Sequence, residues 1–186
     1  MSNCLDYINT EKKIILIWSP KVACTTLHKW FVEDISNIKL DIDPRITAAK
    51  RNFIRKIDNY NNFKDYNIYF FIRNPIFRCI SCFINKFVKY YDGRSLKNLE
   101  SLEGFSIDLI RNYNPELIRN YKGITFNEFL NAIEHGMRIN NIDIHFDNQV
   151  NKVKLNNFNN KDKIKFKNIK NLVKELNKIN KIYNIN

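Results

Sequence analysis

Two apolar runs, each leading into a proline and a basic residue, constrain the fold of this chain more than any other feature. The first opens the stretch IILIWSPKVACTT, residues 14–26, and the second reads NIYFFIRNP, residues 67–75. Their β-branched and aromatic residues predict buried strands at residues 12–19 and 67–73. Helical patterns follow at residues 25–34 and 76–91. Because strands alternate with helices, we expect an α/β fold around a mainly parallel sheet.

Further elements are indicated by their end signals. TFNE, residues 125–128, is a capping-box pattern that predicts a helix over residues 126–135, with Gly136 as its stop. Residues 163–166 read as a short strand and residues 168–182 as a helix, whereas residues 41–60 are charged and helical in part. No linker rich in Pro, Gly or Ser interrupts the 186 residues, so we expect a single domain over residues 1–186.

The charge of the chain narrows the class of its partners without selecting one. Lys and Arg number 31 against 19 Asp and Glu, a formal net charge of +12. Such a basic protein attracts nucleic acids, phosphorylated cofactors and acidic glycans alike. No apolar run approaches the about 20 residues of a membrane-spanning helix, and the 4 cysteines do not form a disulfide framework in a chain of this length. For the chain as given, these features predict a reducing, cytoplasmic setting.

The loop after the first strand has the composition of an anion site. Ligands of open parallel sheets bind beyond the carboxyl ends of the strands, where a loop leading into a helix presents unpaired N–H groups. Lys21 adds a positive charge, Thr25 and Thr26 add hydroxyl donors, and small side chains let an anion approach the backbone. The Gly-x-x-x-x-Gly-Lys order of ATP-binding loops is absent, which disfavours a kinase of that type. The alternative is an ordinary strand–turn–helix with a surface lysine.

The second run carries a matching set of groups. Arg73 ends the predicted strand, at the same sheet edge if the two strands are parallel, and Ser81 lies eight residues further on. A guanidinium fork and a hydroxyl are able to converge on one phosphate. Two phosphate sites on adjacent strand ends imply a ligand with separated anionic groups. Cys79 and Cys82 read as small core residues, because no second cysteine pair completes a zinc site.

The two motifs together resemble those of a known family. PKVACTT resembles the 5′-phosphosulfate loop of sulfotransferases that use PAPS (3′-phosphoadenosine-5′-phosphosulfate), and IRNPIFRCISCFINKF is similar to their 3′-phosphate motif. ITFNEFLNAI, residues 124–133, and IHFDNQ, residues 144–149, are similar to two further segments of that family, in the same order. The likeness is to the carbohydrate sulfotransferases of the chondroitin, dermatan and natural-killer-epitope group, and it spans residues 14–176.

The resemblance implies a P-loop-like three-layer sandwich, with a central mainly parallel sheet flanked by helices. It implies transfer of a sulfuryl group from PAPS to a carbohydrate hydroxyl, with no metal and no nucleic-acid partner. Lys21 is the expected catalytic cation at the leaving phosphate oxygen. His145, in the family's histidine-containing segment, is the expected general base, and its rivals are Asp41, Asp43 and His28. The residues expected to bind the donor are Pro20, Lys21, Val22, Ala23, Cys24, Thr25, Thr26, Arg73 and Ser81.

Other functions are compatible with parts of the sequence. A small-molecule kinase shares a phosphate loop at a strand end but requires ATP with Mg²⁺, whereas sulfuryl transfer runs in the presence of a chelator. A basic nucleic-acid-binding module explains the charge without catalysis and predicts binding that weakens with salt. A family member that binds PAPS but has lost its acceptor site is a third alternative, because residues 35–67 match the family poorly.

Overall fold

The computed structural model describes residues 6–40, 43, 53–55, 57, 60–89, 95–143, 146 and 163–185. The chain divides into two compact units, the first formed by residues 1–74 and 149–186 and the second by residues 75–148. The single domain expected from the sequence stays a prediction. Most of residues 41–60, for which the sequence predicts some helix, lie outside the described residues.

The described part of the first unit contains a five-stranded sheet. Its strands are β1 (Asp6–Asn9), β2 (Ile14–Trp18), β3 (Ile54–Arg55), β4 (Asn67–Ile72) and β5 (Ile164–Asn168), in the order β3-β1-β2-β4-β5. β4 pairs in parallel with β2 and β5, whereas β1 is antiparallel to β2 and β3. Four strands therefore share one direction and β1 opposes them. The predicted α/β class with a mainly parallel sheet is confirmed.

The described residues also form six α-helices. They are α1 (Cys24–Trp30), α2 (Pro75–Phe83), α3 (Gly104–Tyr113), α4 (Glu116–Arg119), α5 (Phe126–Arg138) and α6 (Leu172–Ile182). Two π-helical turns, Phe31–Ile35 and Ile84–Val88, continue α1 and α2, so the helices predicted after both strands are confirmed. Across the described ranges, no helix combines the length and the apolar character that crossing a bilayer requires.

The sheet buries side chains on both faces, which explains why β2 reads as an unbroken apolar run. On one face, strand residues pack against α1 and α6; the residues are Tyr7, Leu16, Trp18, Tyr69, Phe71, Leu27, Trp30, Leu176 and Ile179. On the other face lie Ile8, Ile15, Ile17, Ile68, Phe70 and Ile164. Burial on both sides holds the carboxyl ends of β2 and β4 rigidly, so the loops that leave them start from fixed points.

β1 is a strand that the sequence analysis does not predict. Its four residues are all buried, although two of them are polar. The Asp6 carboxylate accepts a hydrogen bond from the Ile57 backbone N–H (3.1 Å), and the Asn9 side chain accepts one from the Lys12 backbone N–H (2.8 Å) at the turn into β2. These side chains satisfy backbone donors inside the fold, so they interrupt the apolar pattern without exposing the strand.

The second unit has an aromatic core, and α2 with its π-helical turn contributes to it. Phe87 packs against Phe129 and Phe146, with ring centroids 5.3 Å and 6.1 Å apart. Phe83 lies against Phe129 as well, at 5.3 Å. The aromatic side of this helix therefore packs into the core of the second unit, as its helical spacing predicts.

α5 confirms the capping box and corrects the predicted stop. The Thr125 hydroxyl accepts a hydrogen bond from the Glu128 backbone N–H (3.2 Å), and the Glu128 carboxylate accepts one from the Thr125 backbone N–H (2.7 Å). The helix continues past Gly136, so the prediction of a stop there is wrong. A Cβ at Gly136 would lie 3.1 Å from the Asn141 carbonyl oxygen, so this glycine serves close packing. Asn140, with φ 52°, takes the left-handed position after the helix.

Candidate functional site

Two strand ends meet at the carboxyl edge of the sheet in the first unit. Trp18, the last residue of β2, pairs with Phe71 of β4, so the segments that follow these strands leave the sheet side by side. Arg73 Nη1 donates a hydrogen bond to the Lys21 backbone carbonyl oxygen, at 3.1 Å. Parallel pairing thus brings together the residue that carries the amine and the residue that carries the guanidinium.

The loop after β2 has the backbone shape of an anion-binding concavity. Lys21 and Ala23 have positive φ angles of 68° and 52°, whereas Val22 between them does not. Alternation of this kind is typical of a nest, in which successive backbone N–H groups turn towards one side and suit an anion. Ala23 precedes α1 and has no side chain able to cap it, so the first N–H groups of the helix are donors that anionic oxygens would satisfy.

The side chains around this loop include two exposed hydroxyls and one buried hydroxyl. Thr25 and Thr26 are exposed, while the Ser19 side chain is fully buried. The Ser19 hydroxyl has no hydrogen-bond partner, which is uncommon for a buried polar group. The Cys24 thiol donates to the Ser19 carbonyl oxygen at 3.7 Å, so its side chain packs under the loop. The buried Ser19 hydroxyl is therefore a polar group next to the loop whose hydrogen bond is not supplied by the described residues.

The second motif is divided between the two units. Arg73 belongs to the first unit, and Ser81 lies half-buried in α2 of the second. The convergence of these two side chains on one phosphate stays a prediction. Lys86, which follows in the same motif, makes contacts that stabilise the second unit. Its ammonium lies 2.7 Å from the Glu103 carboxylate and 4.9 Å from the centre of the Phe105 ring.

The structure describes some of the four candidate general bases and not others. His145 and Asp41 lie outside the described residues, and Asp43 is described without its immediate neighbours. His28 is half-buried in α1, where its Nδ1 shares a hydrogen bond with the Tyr7 hydroxyl. Its ring packs edge-on against Trp18, with the centroids 4.9 Å apart. His28 is therefore held in a defined orientation by β1 and β2.

The cysteines of α2 behave as core residues in the second unit. Cys82 is buried, and burial raises the pKa of the half-buried Cys79 thiol. A raised pKa opposes the thiolate form that both metal binding and nucleophilic attack require. Within the residues that the structure describes, no group of three or more His, Cys, Asp or Glu is arranged to hold a metal ion.

The second unit also contains a cavity that the sequence analysis does not predict. Its volume is about 270 Å³ and it lies between α3 and the segment after α5. The lining residues are Phe105, Asp108, Leu109, Asn112, Asn141, Ile142 and Asp143. The four from α3 follow the i, i+3, i+4, i+7 spacing of one helix face. That spacing is a signal in the sequence, but it is shared by any amphipathic helix.

The family of the chain follows from a comparison that covers nearly all of it. The model of the sulfotransferase family matches residues 7–185. Comparisons with curated proteins and with solved structures gave no match. The matched range contains the nest-shaped loop, the Arg73 contact and α2, all in the order in which the motifs occur. On this match, the chain belongs to the sulfotransferase family.

Proposed function

We propose that this sulfotransferase takes its sulfuryl group from PAPS and transfers it to a hydroxyl of a carbohydrate. The observation that carries the proposal is the contact between Arg73 and the Lys21 carbonyl at a nest-shaped loop. It puts a guanidinium, the backbone of a lysine and a set of backbone N–H groups at one sheet edge. Such a site suits a nucleotide with two separated anionic groups better than a ligand with a single charge.

Each part of the donor has a proposed partner. The N–H groups of the loop and the hydroxyls of Thr25 and Thr26 hold the 5′-phosphosulfate, and Arg73 with Ser81 holds the 3′-phosphate that distinguishes PAPS from ATP. PAPS supplies the activated sulfuryl group. The Lys21 ammonium stabilises the negative charge that develops on the leaving phosphate oxygen. No metal is needed in this arrangement.

The cavity of the second unit supports an acceptor rich in hydroxyl groups. Its carboxylates accept hydrogen bonds, its amides both donate and accept them, and the Phe105 ring adds an apolar surface. Asp108 is paired with Arg111 at 3.0 Å, so the lining offers both charged and neutral hydrogen-bonding groups to such a ligand. His145 is proposed to take the proton of the acceptor hydroxyl. An unchanged pH–rate profile in His145→Asn would remove it from this role.

The donor is tested by thermal unfolding with PAP (3′-phosphoadenosine-5′-phosphate), AMP and ATP. A ligand that binds only the folded state raises the melting temperature by mass action. We expect PAP to raise it more than AMP or ATP at equal concentration, because only PAP carries the 3′-phosphate. Stabilisation by ATP with Mg²⁺ that equals or exceeds that by PAP contradicts the proposal and supports the kinase alternative.

Turnover with PAPS is then measured for wild type and Lys21→Ala in the presence of a chelator of divalent metal ions. Loss of one charge-stabilising group lowers kcat by about 100-fold or more, so we expect turnover to be abolished in practice. Lys29→Ala is the matched control, since this exposed lysine of α1 pairs with Glu33 at 3.7 Å and is not part of the loop. Near-normal turnover in Lys21→Ala would falsify the assignment of the loop as the donor site.

A further inference from the structure

We propose that Arg73 is a positioning residue for the nest-shaped loop, in addition to the contact with the 3′-phosphate proposed above. Its guanidinium holds the Lys21 carbonyl and thereby keeps the loop N–H groups turned towards the ligand. The part of this inference that concerns ligands rests on the proposed function. The positioning role predicts that Arg73 controls the affinity of the protein even for nucleotides that have no 3′-phosphate.

The loop needs an external support because its backbone is unfavourable by itself. Lys21 and Ala23 are in the left-handed region, at φ 68° and 52°, without the conformational freedom of glycine. Residues in sparsely populated backbone regions persist only where the surrounding structure determines them. Val22 anchors the loop in the core, and the hydrogen bond of 3.1 Å from Arg73 to the Lys21 carbonyl oxygen is a contact that supports one of the two left-handed residues directly. A charged donor makes that hydrogen bond stronger than one between neutral groups.

Arg73 is suited to this task by the strand that carries it. It directly follows β4, whose Phe70 and Phe71 side chains are fully buried. β4 is hydrogen-bonded on both sides, to β2 and to β5. The backbone position of Arg73 is therefore set by an internal strand of the sheet. A guanidinium is a planar fork with five N–H donors, so the same group is able to contact a backbone carbonyl and a ligand oxygen together.

The first test needs no ligand, because Cys24 reports on the loop. Its thiol is half-buried and bonded to the Ser19 carbonyl oxygen. If Arg73 holds the loop, Arg73→Gln increases the rate at which a thiol reagent labels Cys24, by about tenfold for the loss of one charged hydrogen bond. Peptide mass spectrometry separates this labelling from that of Cys79, whose rate should stay constant.

Arg119→Gln is the control for the labelling experiment, since it removes the same kind of charge from an exposed arginine that pairs with Glu116 in α4, at 2.8 Å. We expect this variant to label Cys24 at the wild-type rate. Arg73→Lys serves as a milder second variant should Arg73→Gln fail to fold. An unchanged Cys24 rate in the folded Arg73 variants overturns the inference.

The second test compares the binding of PAP and AMP by calorimetry. These two ligands differ only in the 3′-phosphate. We expect Arg73→Gln to weaken both by about tenfold or more, and Ser81→Ala to weaken PAP alone. If Arg73→Gln weakens PAP but not AMP, the positioning role is overturned while the proposed function stands. If the wild-type protein binds neither nucleotide, the proposed function fails, and the labelling of Cys24 still decides whether Arg73 holds the loop.

Discussion

Ala23 shows at the scale of one residue how an anion loop is built without glycine. It adopts φ 52° and ψ 38°, directly before α1. A left-handed conformation costs a residue with a Cβ about 1–2 kcal/mol, and a β-branched residue is the least tolerant of it. Ala has the smallest side chain that carries a Cβ, so it keeps this cost low and leaves space for an anion above the backbone.

This conformation predicts how two substitutions at Ala23 change the free energy of unfolding. Ala23→Val should lower it by about 1–2 kcal/mol. Ala23→Gly should leave it within about 1 kcal/mol of wild type, because relief of strain is offset by greater freedom of the unfolded chain. Urea unfolding measures both changes. Thr26→Val is the control, since it puts the same side chain at an exposed position in α1. Equal stability of the two valine variants would contradict the left-handed assignment.

The residues of the candidate site could be selected from the sequence, but their conformation could not. PKVACTT contains the charge, the hydroxyls and the small residues of an anion loop, and Arg73 follows an evident strand. The left-handed angles at Lys21 and Ala23 have no signal in a loop that lacks glycine. The Arg73 contact with a backbone carbonyl has no sequence signal either, because any side-chain donor near that edge could bond to a carbonyl oxygen.

At the scale of elements, asparagine takes the left-handed position after two helices, where glycine is the usual residue. The C-terminal residues of α5 and α6 are followed by Asn140 and Asn184, both at φ 52°. In each case the next backbone N–H bonds back into the helix: Asn141 to the Gly136 carbonyl (3.0 Å) and Ile185 to the Asn180 carbonyl (2.9 Å). This is the Schellman pattern, in which asparagine is the usual substitute for glycine.

The predicted stop of α5 at Gly136 is wrong because Asn140, and not this glycine, takes the left-handed position after the helix. Only 4 glycines occur in the chain, so most of its helix ends have to use another residue. Long periodic elements such as β2, β4 and α5 could be predicted because their apolar patterns are continuous. β1 could not be predicted, since its polar Asp6 and Asn9 are satisfied by contacts from distant segments.

The link between β5 and α6 predicts a pH dependence. Hydrogen bonds from Lys167 and Lys178 lower the pKa of Glu175 from 4.5 to about 2. A carboxylate with a lowered pKa in the folded state stabilises that state above pH 4.5, and the contribution is lost as the pH falls towards 2. Glu175→Gln should therefore unfold at lower urea concentration than wild type at pH 7, and the difference should shrink as the pH is lowered through this range.

Glu116→Gln is the comparison for the Glu175 measurement. Glu116 pairs with Arg119 at 2.8 Å, but both side chains are largely exposed. Exposed pairs contribute little to stability, so this variant should follow the wild-type urea midpoint at every pH. A Glu175→Gln midpoint that also follows wild type would show that the two lysine contacts do not stabilise the folded state.

At the scale of the whole molecule, the net charge of +12 and the anion loop should respond differently to salt. Non-specific binding to duplex DNA depends on counterion release and falls steeply between about 50 and 200 mM salt. Stabilisation by PAP depends on backbone N–H groups and placed side chains, so it should persist in the higher salt. Fluorescence anisotropy with DNA and thermal unfolding with PAP measure the two effects. DNA binding at the lower salt, without stabilisation by PAP at either salt concentration, would support the nucleic-acid-binding alternative.

The alternating backbone angles after β2 have a kinetic consequence. The Arg73 hydrogen bond to the Lys21 carbonyl supports these angles from within the protein, so a donor molecule would meet amide groups that are already aimed. Little entropy remains to be lost by this segment during capture. Encounter should then be limited by diffusion and by long-range attraction to the positive protein, and a slow rearrangement step should be missing from the binding time course.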